Sequence, residues 1–473
     1  MSTVHLHPLG LPEILQSVAK YLPDRSLPVC ARVSRAWHQE FIPVIWRAII
    51  LGYCPPEAAR AHCQHISTIY TSYGFPLEYT TLRCPKLSSL EIATTDLNDD
   101  LSEFILGHPS LTSLKLHNCF LNPHAMLWER ILGLYNLKDL TVVGMSVENE
   151  DVDKFWQVCT RLERLELGWL GIDTQGDLLS MEFPRIQRLH ISCPREEDLP
   201  WILKFLQRCP SLTTFHWTID DHQSRESFAY EFAGMVSART WLYLGCVESS
   251  TPEMSSVVLS RIMSNMPQIT SLKFPCMDNS FGSDCMEPLR SHFSSLKELD
   301  LSTDVGLTSA MAQEILSSCP ILEVLKVPRI DATDVAAGKP WVCLRLKSLA
   351  TCFRFDPTTI DHLQPLVFDQ LSRLSRLEEL HVDGRPERNG WEYPDFQETF
   401  DLRLEKDLDK LSTIRSLCQI SFRDTKQKMT EEEIKWVLKH WPRLSQVSGQ
   451  LNCWSSGVDE ALKGQLLAHG VDA

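Results

Sequence analysis

Sixteen histidines and sixteen cysteines supply material for metal sites or nucleophiles, so their spacing decides whether either is expected. The densest group is "HCQH" at 62–65, with His62, Cys63 and His65 within four positions. A zinc site needs a second pair of ligands at comparable spacing. None follows, and no two cysteines are spaced CxxC, so this group reads as a loop. Catalytic signatures are equally lacking. There is no GxxxxGK phosphate loop, no GxGxxG after a strand, no HExxH pair and no GxSxG elbow. The expectation is a chain without enzymatic activity, cofactor or metal, whose work is binding.

Composition narrows what could be bound. Of 473 residues, 43% are hydrophobic and 23% charged, which are globular values. The net charge of −15 opposes general nucleic-acid binding, which needs a basic footprint. The start, "MSTVHLHPLGLPEIL", lacks a basic region followed by an apolar run, so no signal peptide is expected. No stretch reaches 18 consecutive apolar residues, so no membrane span is expected either. The reading is a cytoplasmic and/or nuclear protein with reduced thiols.

The elements that must position any binding residues repeat. "LTSLKLHNCFL" from Leu111 fits LxxLxLxxCxL, and related frames start at Leu87, Leu137, Leu162, Ile186, Leu212, Ile269, Leu296, Leu322, Leu346, Leu377, Leu417 and Leu444. "WLYLGC" from Trp241 is a weaker copy, and "ISTIYT" from Ile66 a degenerate first one. Most steps are 24–29 residues, with exceptions of 21 at the start and of 31 and 40 near the end. This is the leucine-rich-repeat period. In a short strand, offsets 3 and 5 from the first apolar residue face the core and offsets 2 and 4 face out. The offset-4 row reads Glu91, Lys115, Thr141, Glu166, His190, His216, Gly245, Lys273, Asp300, Lys326, Ala350, His381, Ser421 and Ser448, with no large apolar residue. His190 and His216, neighbours in that row, read as solvated polar residues, a partner contact or a pH-sensitive pair.

The cysteines share the phase. Cys63, Cys84, Cys159, Cys209, Cys319 and Cys343 each sit three residues before a repeat. Other copies place His108, Leu134, Phe183, Met266, Phe293, Leu374, Ile414 or Trp441 there. A slot that accepts all of these is a packing slot, where cysteine acts as a small hydrophobe. Helical spacing follows many strands, as at Met311, Ile315 and Leu316. Strand then helix, repeated, gives an α/β solenoid with strands on one face and helices on the other. The long repeats resemble the ribonuclease-inhibitor-like class, which implies a horseshoe over roughly residues 60–455. The 40-residue step contains "DGRPERNGWEYPDFQETFDLRLEKDLDKL" at 383–411. Its first half is broken by glycine and proline and carries Trp391 and Tyr393, while "FDLRLEKDLDKL" reads as an outer amphipathic helix. Long loops with aromatic residues suit binding. Candidate target-binding residues are therefore Trp391 and Tyr393, with Lys273, Asp300, Lys326 and His381 from the polar row.

The first 50 residues do not repeat. "LPEILQSVAKYL" places Ile14, Leu15, Val18 and Leu22 along one helical side, with Pro12 suited to a first turn. Leu27, Cys30, Val33, Trp37, Phe41 and Trp46 follow, more large apolar residues than so short a unit buries alone. "LP" at 11–12, Ile14 and Leu15, "YLP" at 21–23, Leu27, Cys30, "VSRAW" at 33–37 and Trp46 resemble an F-box. Pro28 and Pro43 depart from the usual helical pattern and are expected to displace local helix ends.

The resemblance, to the F-box/leucine-rich-repeat proteins, implies a small all-α F-box over 8–50, repeats over 51–455 and a C-terminal cap or tail over 456–473. It implies binding of the Skp-family adaptor of SCF-type ubiquitin ligases, and through it cullin and RING proteins. The adaptor-binding residues would be Leu11, Pro12, Ile14, Leu15, Leu22, Leu27, Cys30, Val33, Trp37 and Trp46. The repeats would hold a protein substrate. The unit could also cap the first repeat's edge. An alternative is a repeat protein acting as a GTPase activator, inhibitor or scaffold outside any ligase.

Overall fold

A computed structural model describes residues 11–71, 75–93, 96–97, 99–121, 127–147, 150–172, 180–192, 198–219, 222–250, 254–274, 281–304, 306–356, 358–384 and 400–473. The chain divides into two compact units, Met1–Leu212 and Thr213–Ala473. The elements are those of a leucine-rich-repeat α/β solenoid. Among the described residues, the long parallel sheet takes seven strands from the first unit and nine from the second, in chain order, and four short strands of the first unit pair in two separate parallel ribbons.

The first unit opens with three helices, α1 (Pro12–Ala19), α2 (Leu27–Cys30) and α3 (Arg35–Ile45). The sheet then begins at β1 (Ala48–Ile50), which pairs with β2 (Thr68–Thr71) in the register Ala48↔Thr68. So "ISTIYT" is a true repeat, and one strand precedes it inside the segment assigned from sequence to the helical unit. Strands Ser89–Ala93, Ser113–His117, Asp139–Val143, Arg164–Gly168 and Arg188–Ser192 follow, separated by helices such as Glu150–Cys159. Alternation produces them. In Ser113–His117, Leu114 and Leu116 are fully buried, while Ser113, Lys115 and His117 are not. An aromatic cluster joins the helices behind the strands: Trp156 lies 5.2 Å from Phe205, and Phe183 lies 4.6 Å from Phe205.

The second unit repeats the plan from Thr214–Thr218 to Gln446–Ser448. One frame differs from the sequence reading. The strand after Trp241 is Cys246–Ser249, with His216 opposite Glu248. The repeat therefore starts at Leu244, and Glu248, not Gly245, holds the outward position. Trp241 is instead the packing-slot residue, 3% exposed. Both frames begin with an apolar residue, and strand register selects the second. At the far end Val447 N donates to Asp472 O at 2.7 Å, so the segment after helix Ser456–Ala468 pairs with the last strand.

The packing slot is filled as its residue types require. Cys84, Cys159, Cys209, Cys319 and Cys343 are buried, and the described cysteines are free thiols. Burial pushes the thiols of Cys84, Cys319 and Cys343 up to about 12. His108 fits the slot because both ring nitrogens are satisfied. Nδ1 lies 2.7 Å from Phe104 O, and Cys84 N donates to Nε2 at 3.1 Å. Burial holds its pKa below the ordinary 6.5.

The expected outer helix over 400–411 does not form. Two short 3-10 turns, Leu404–Lys406 and Leu408–Thr413, flank Asp407, which adopts a left-handed φ of 66°. Backbone groups of the segment are bonded instead by buried side chains. Gln364 Nε2 donates to Asp401 O and Lys406 O, and Gln364 Oε1 accepts from Asp401 N. Gln427 accepts from Leu402 N, and Glu433 Oε1 accepts from Leu404 N.

Candidate functional site

Two surfaces gather the residues selected from sequence. The first is the helical unit. Pro12 occupies the first turn of α1, where its missing N–H costs nothing. Ser34 caps α3 by accepting from Trp37 N at 3.2 Å. The two prolines displace less than expected. Pro28 falls in the first turn of α2, and α3 runs through Pro43 to Ile45.

Leu15, Ala19, Leu27, Ala31 and Phe41 form the unit's core. Val18, Leu22, Cys30 and Trp37 pack against it, Trp37 stacking on Phe41 at 5.4 Å. Trp46 leaves the unit and stacks on His62 at 4.3 Å, against the first repeat, so both tryptophans have structural partners. The ten expected adaptor-binding residues therefore separate. Leu15 and Leu27 are internal, at 1% and 5% exposure, because each lies on its helix's core-facing side. Leu22, Cys30, Trp37 and Trp46 are partly covered, as are Leu11 and Ile14. Pro12 and Val33 are exposed. Beside them the structure exposes Tyr21 at 86% and Val29 at 65%, with Val33 at 62%. Tyr21 and Val29 were not selected from sequence. Tyr21 opens the F-box-like "YLP", whereas Val29 lies in a four-residue helix too short to show a rhythm.

The second surface is the outward row of the sheet. In the first unit Tyr70, Glu91, Lys115, Thr141, Glu166 and His190 stand in register. Lys115 pairs with Glu91 at 3.1 Å, and His190 Nδ1 lies 3.0 Å from Glu166, which also accepts from Thr141. The His190 contact holds the Glu166 carboxyl below its ordinary range. In the second unit His216, Glu248, Lys273, Asp300, Lys326, Ala350, His381, Ser421 and Ser448 form the corresponding row.

Lys273, Asp300 and Lys326 are thus brought together, whereas His381 is separated from them by Ala350. Asp300 is 7% exposed, bonded to Lys326 at 3.1 Å and to Ser302 N at 3.2 Å, so it acts inside the row rather than presenting a free carboxylate. Lys273 pairs with Glu298 at 2.7 Å; burial lowers its pKa, but that carboxylate outweighs it and holds the ammonium above its ordinary 10.5. Trp391 and Tyr393 lie outside the described residues. Among the described residues, no three His, Cys, Asp or Glu side chains meet as a metal site, and no helix is long and apolar enough to cross a membrane.

Comparison with known proteins bears on the family. No family model matches the chain. It is similar to "F-box/LRR-repeat protein 17" of Arabidopsis thaliana, 28% identical over 206 residues, which is 39% of this chain and 34% of that protein. The chain thus spans about a third of the length of this curated relative. A structure of an internalin from Listeria monocytogenes is aligned over 83% of both chains at 11% identity, with a TM-score of 0.28, a level too low to carry weight. The repeat architecture and the Arabidopsis relative support an F-box/leucine-rich-repeat family for this chain.

Proposed function

We propose that this chain is the substrate-recruiting subunit of an SCF-type ubiquitin ligase, acting in the cytoplasm and/or nucleus. Its helical unit docks the Skp-family adaptor, and through it cullin and RING proteins. Its repeats hold the target protein near the transferring enzyme, so its contribution is proximity rather than chemistry. The observation that carries the reading is the exposure of Tyr21, Val29 and Val33 on a unit whose own core is already filled. Three large apolar side chains left exposed on so small a unit are available to a partner. The F-box-like spacing of the same segment supports a Skp-family adaptor as the partner, and the name of the Arabidopsis relative supports the F-box reading.

Co-expression of the full chain with a Skp-family adaptor tests it. The wild type should co-purify as a stoichiometric complex. Val29→Asp combined with Val33→Asp should weaken binding at least tenfold with little change in melting temperature, because neither side chain is in the core. Failure of a well-folded wild-type chain to bind the adaptor would sink the reading.

A further inference from the structure

The second unit also contains a cleft of about 540 Å³, lined by residues other than those of the polar row. That is the volume range of a ligand pocket. One part of its lining comes from helix Ile360–Ser372 and from the turn region of the long repeat. It presents Asp361, Asp401, Glu405 and Asp407, with Arg403 and Lys406 among them. The other part is Lys426, Lys428 and Trp454. Sequence alternation places the two lysines: in "TKQKM", Thr425, Gln427 and Met429 are buried and Lys426 and Lys428 point out.

The turn region is held by three buried side chains, Gln364, Gln427 and Glu433, whose bonds go to its backbone. A lining so supported is preorganised. Several of its charges neutralise one another. Arg403 bonds to Asp401 and Glu405, and Lys406 to Asp361 at 2.5 Å. Asp407 stands in left-handed backbone with its carboxylate in no ion pair among the described residues. Lys428 Nζ lies 4.4 Å over the Trp454 ring, which is 67% exposed. With Asp407 on one part of the lining and Lys426 and Lys428 on the other, a ligand of one sign would match only half of it, and a purely apolar ligand would leave the charges unmatched. A ligand carrying both signs and one apolar group matches every part.

We propose that this cleft docks a short mixed-charge peptide segment of the recruited target: a lysine or arginine toward Asp407, a carboxylate toward Lys428 and Lys426, and an apolar side chain on Trp454. The proposal rests on the target-recruiting reading above. The carboxylate can come from an acidic side chain or from a chain terminus.

The probe is a random library of N-acetylated hexapeptides, half C-amidated and half with a free C-terminus, passed over the immobilised full chain. Both halves should yield peptides with basic and acidic residues a few positions apart if side chains are read. Enrichment from the free-acid half alone assigns the carboxylate to a chain terminus. Lys428→Glu and Trp454→Ala, both exposed positions, should each weaken the selected peptides at least tenfold while leaving melting temperature and adaptor binding unchanged. Lys428→Glu should be partly rescued by peptides whose carboxylate is replaced by lysine. Absence of mixed-charge enrichment, selection of wholly acidic peptides, or equal binding by the variants overturns the proposal. With adaptor binding intact, those results remove this inference alone. Loss of adaptor binding in the wild type removes the ligase reading and leaves the cleft's specificity standing.

Discussion

At Trp169 a bulky side chain occupies a place that favours glycine. The residue after the strand is left-handed in three successive repeats: Asn118 at φ 51°, Gly144 at 67° and Trp169 at 48°. Each N–H donates to the last residue of the next strand, at 2.7, 2.8 and 3.1 Å. Trp169 is 62% exposed, so little packing compensates the backbone. Trp169→Gly should therefore raise stability by about 1 kcal/mol, read by urea denaturation. Gly144→Ala should lower it, because the added Cβ would lie 2.1 Å from Asn118 Oδ1. The slot residues make a second test. With their thiols pushed up to about 12 and buried, Cys84, Cys319 and Cys343 should resist iodoacetamide at pH 8 in the native protein, while the partly exposed Cys453 reacts. Mass spectrometry of labelled peptides reads the outcome. The cysteine slot was legible because its phase recurs, whereas the left-handed turn was hidden by the unlike residues that fill it.

Helix Glu431–His440 shows how one element serves another. Glu433 accepts from Thr430 N and Oγ1 at 2.8 and 2.6 Å, closing a capping box, and from Leu404 N at 3.1 Å across the fold. Burial raises its pKa, but these hydrogen bonds outweigh that and hold it below the ordinary 4.5. A depressed carboxyl stabilises the folded state above its unfolded pKa and loses that contribution as pH falls through its folded value. Glu433→Gln should lower the melting temperature at pH 7, and the gap to wild type should narrow progressively below pH 4.5. The box itself was present in "TEEE" as a local pattern. The loss of the expected helix over 400–411 was not readable there, since the competing acceptors and donors, Gln364, Gln427 and Glu433, come from residues tens of positions away. The polar row is the reverse case: alternation gave nearly all of it, and only the frame at Trp241 failed, where two starts three residues apart look alike.

Over the whole molecule, separate regions should answer separately to mutation. Phe41 is fully buried in the helical unit, and Phe41→Ala should cost about 3–5 kcal/mol of that unit's stability. Limited proteolysis should then cut within residues 11–46 before the repeats. Leu15→Asp belongs with it as a folding lesion, whereas Val33→Asp tests the surface. At the other end Leu462, Leu466 and Val471 are buried, and Asp472 pairs with the last strand. Removing residues 456–473 should expose a strand edge and promote self-association, measured by light scattering. The F-box-like segment was legible as a pattern but not as a surface: its spacing names the apolar positions without saying which of them the unit keeps for itself. Within each unit every strand of the long sheet pairs only with the long-sheet strands of the repeats before and after it. In evolutionary terms, such a chain changes length by whole periods. A duplicated or deleted block of 24–29 residues rejoins the same register, while a single inserted residue in a strand turns its apolar side chains to solvent. The 40-residue repeat escapes that arithmetic because side chains of the copies before and after it, Gln364, Gln427 and Glu433, fasten its turn region, so a new specificity added there is held by its neighbours.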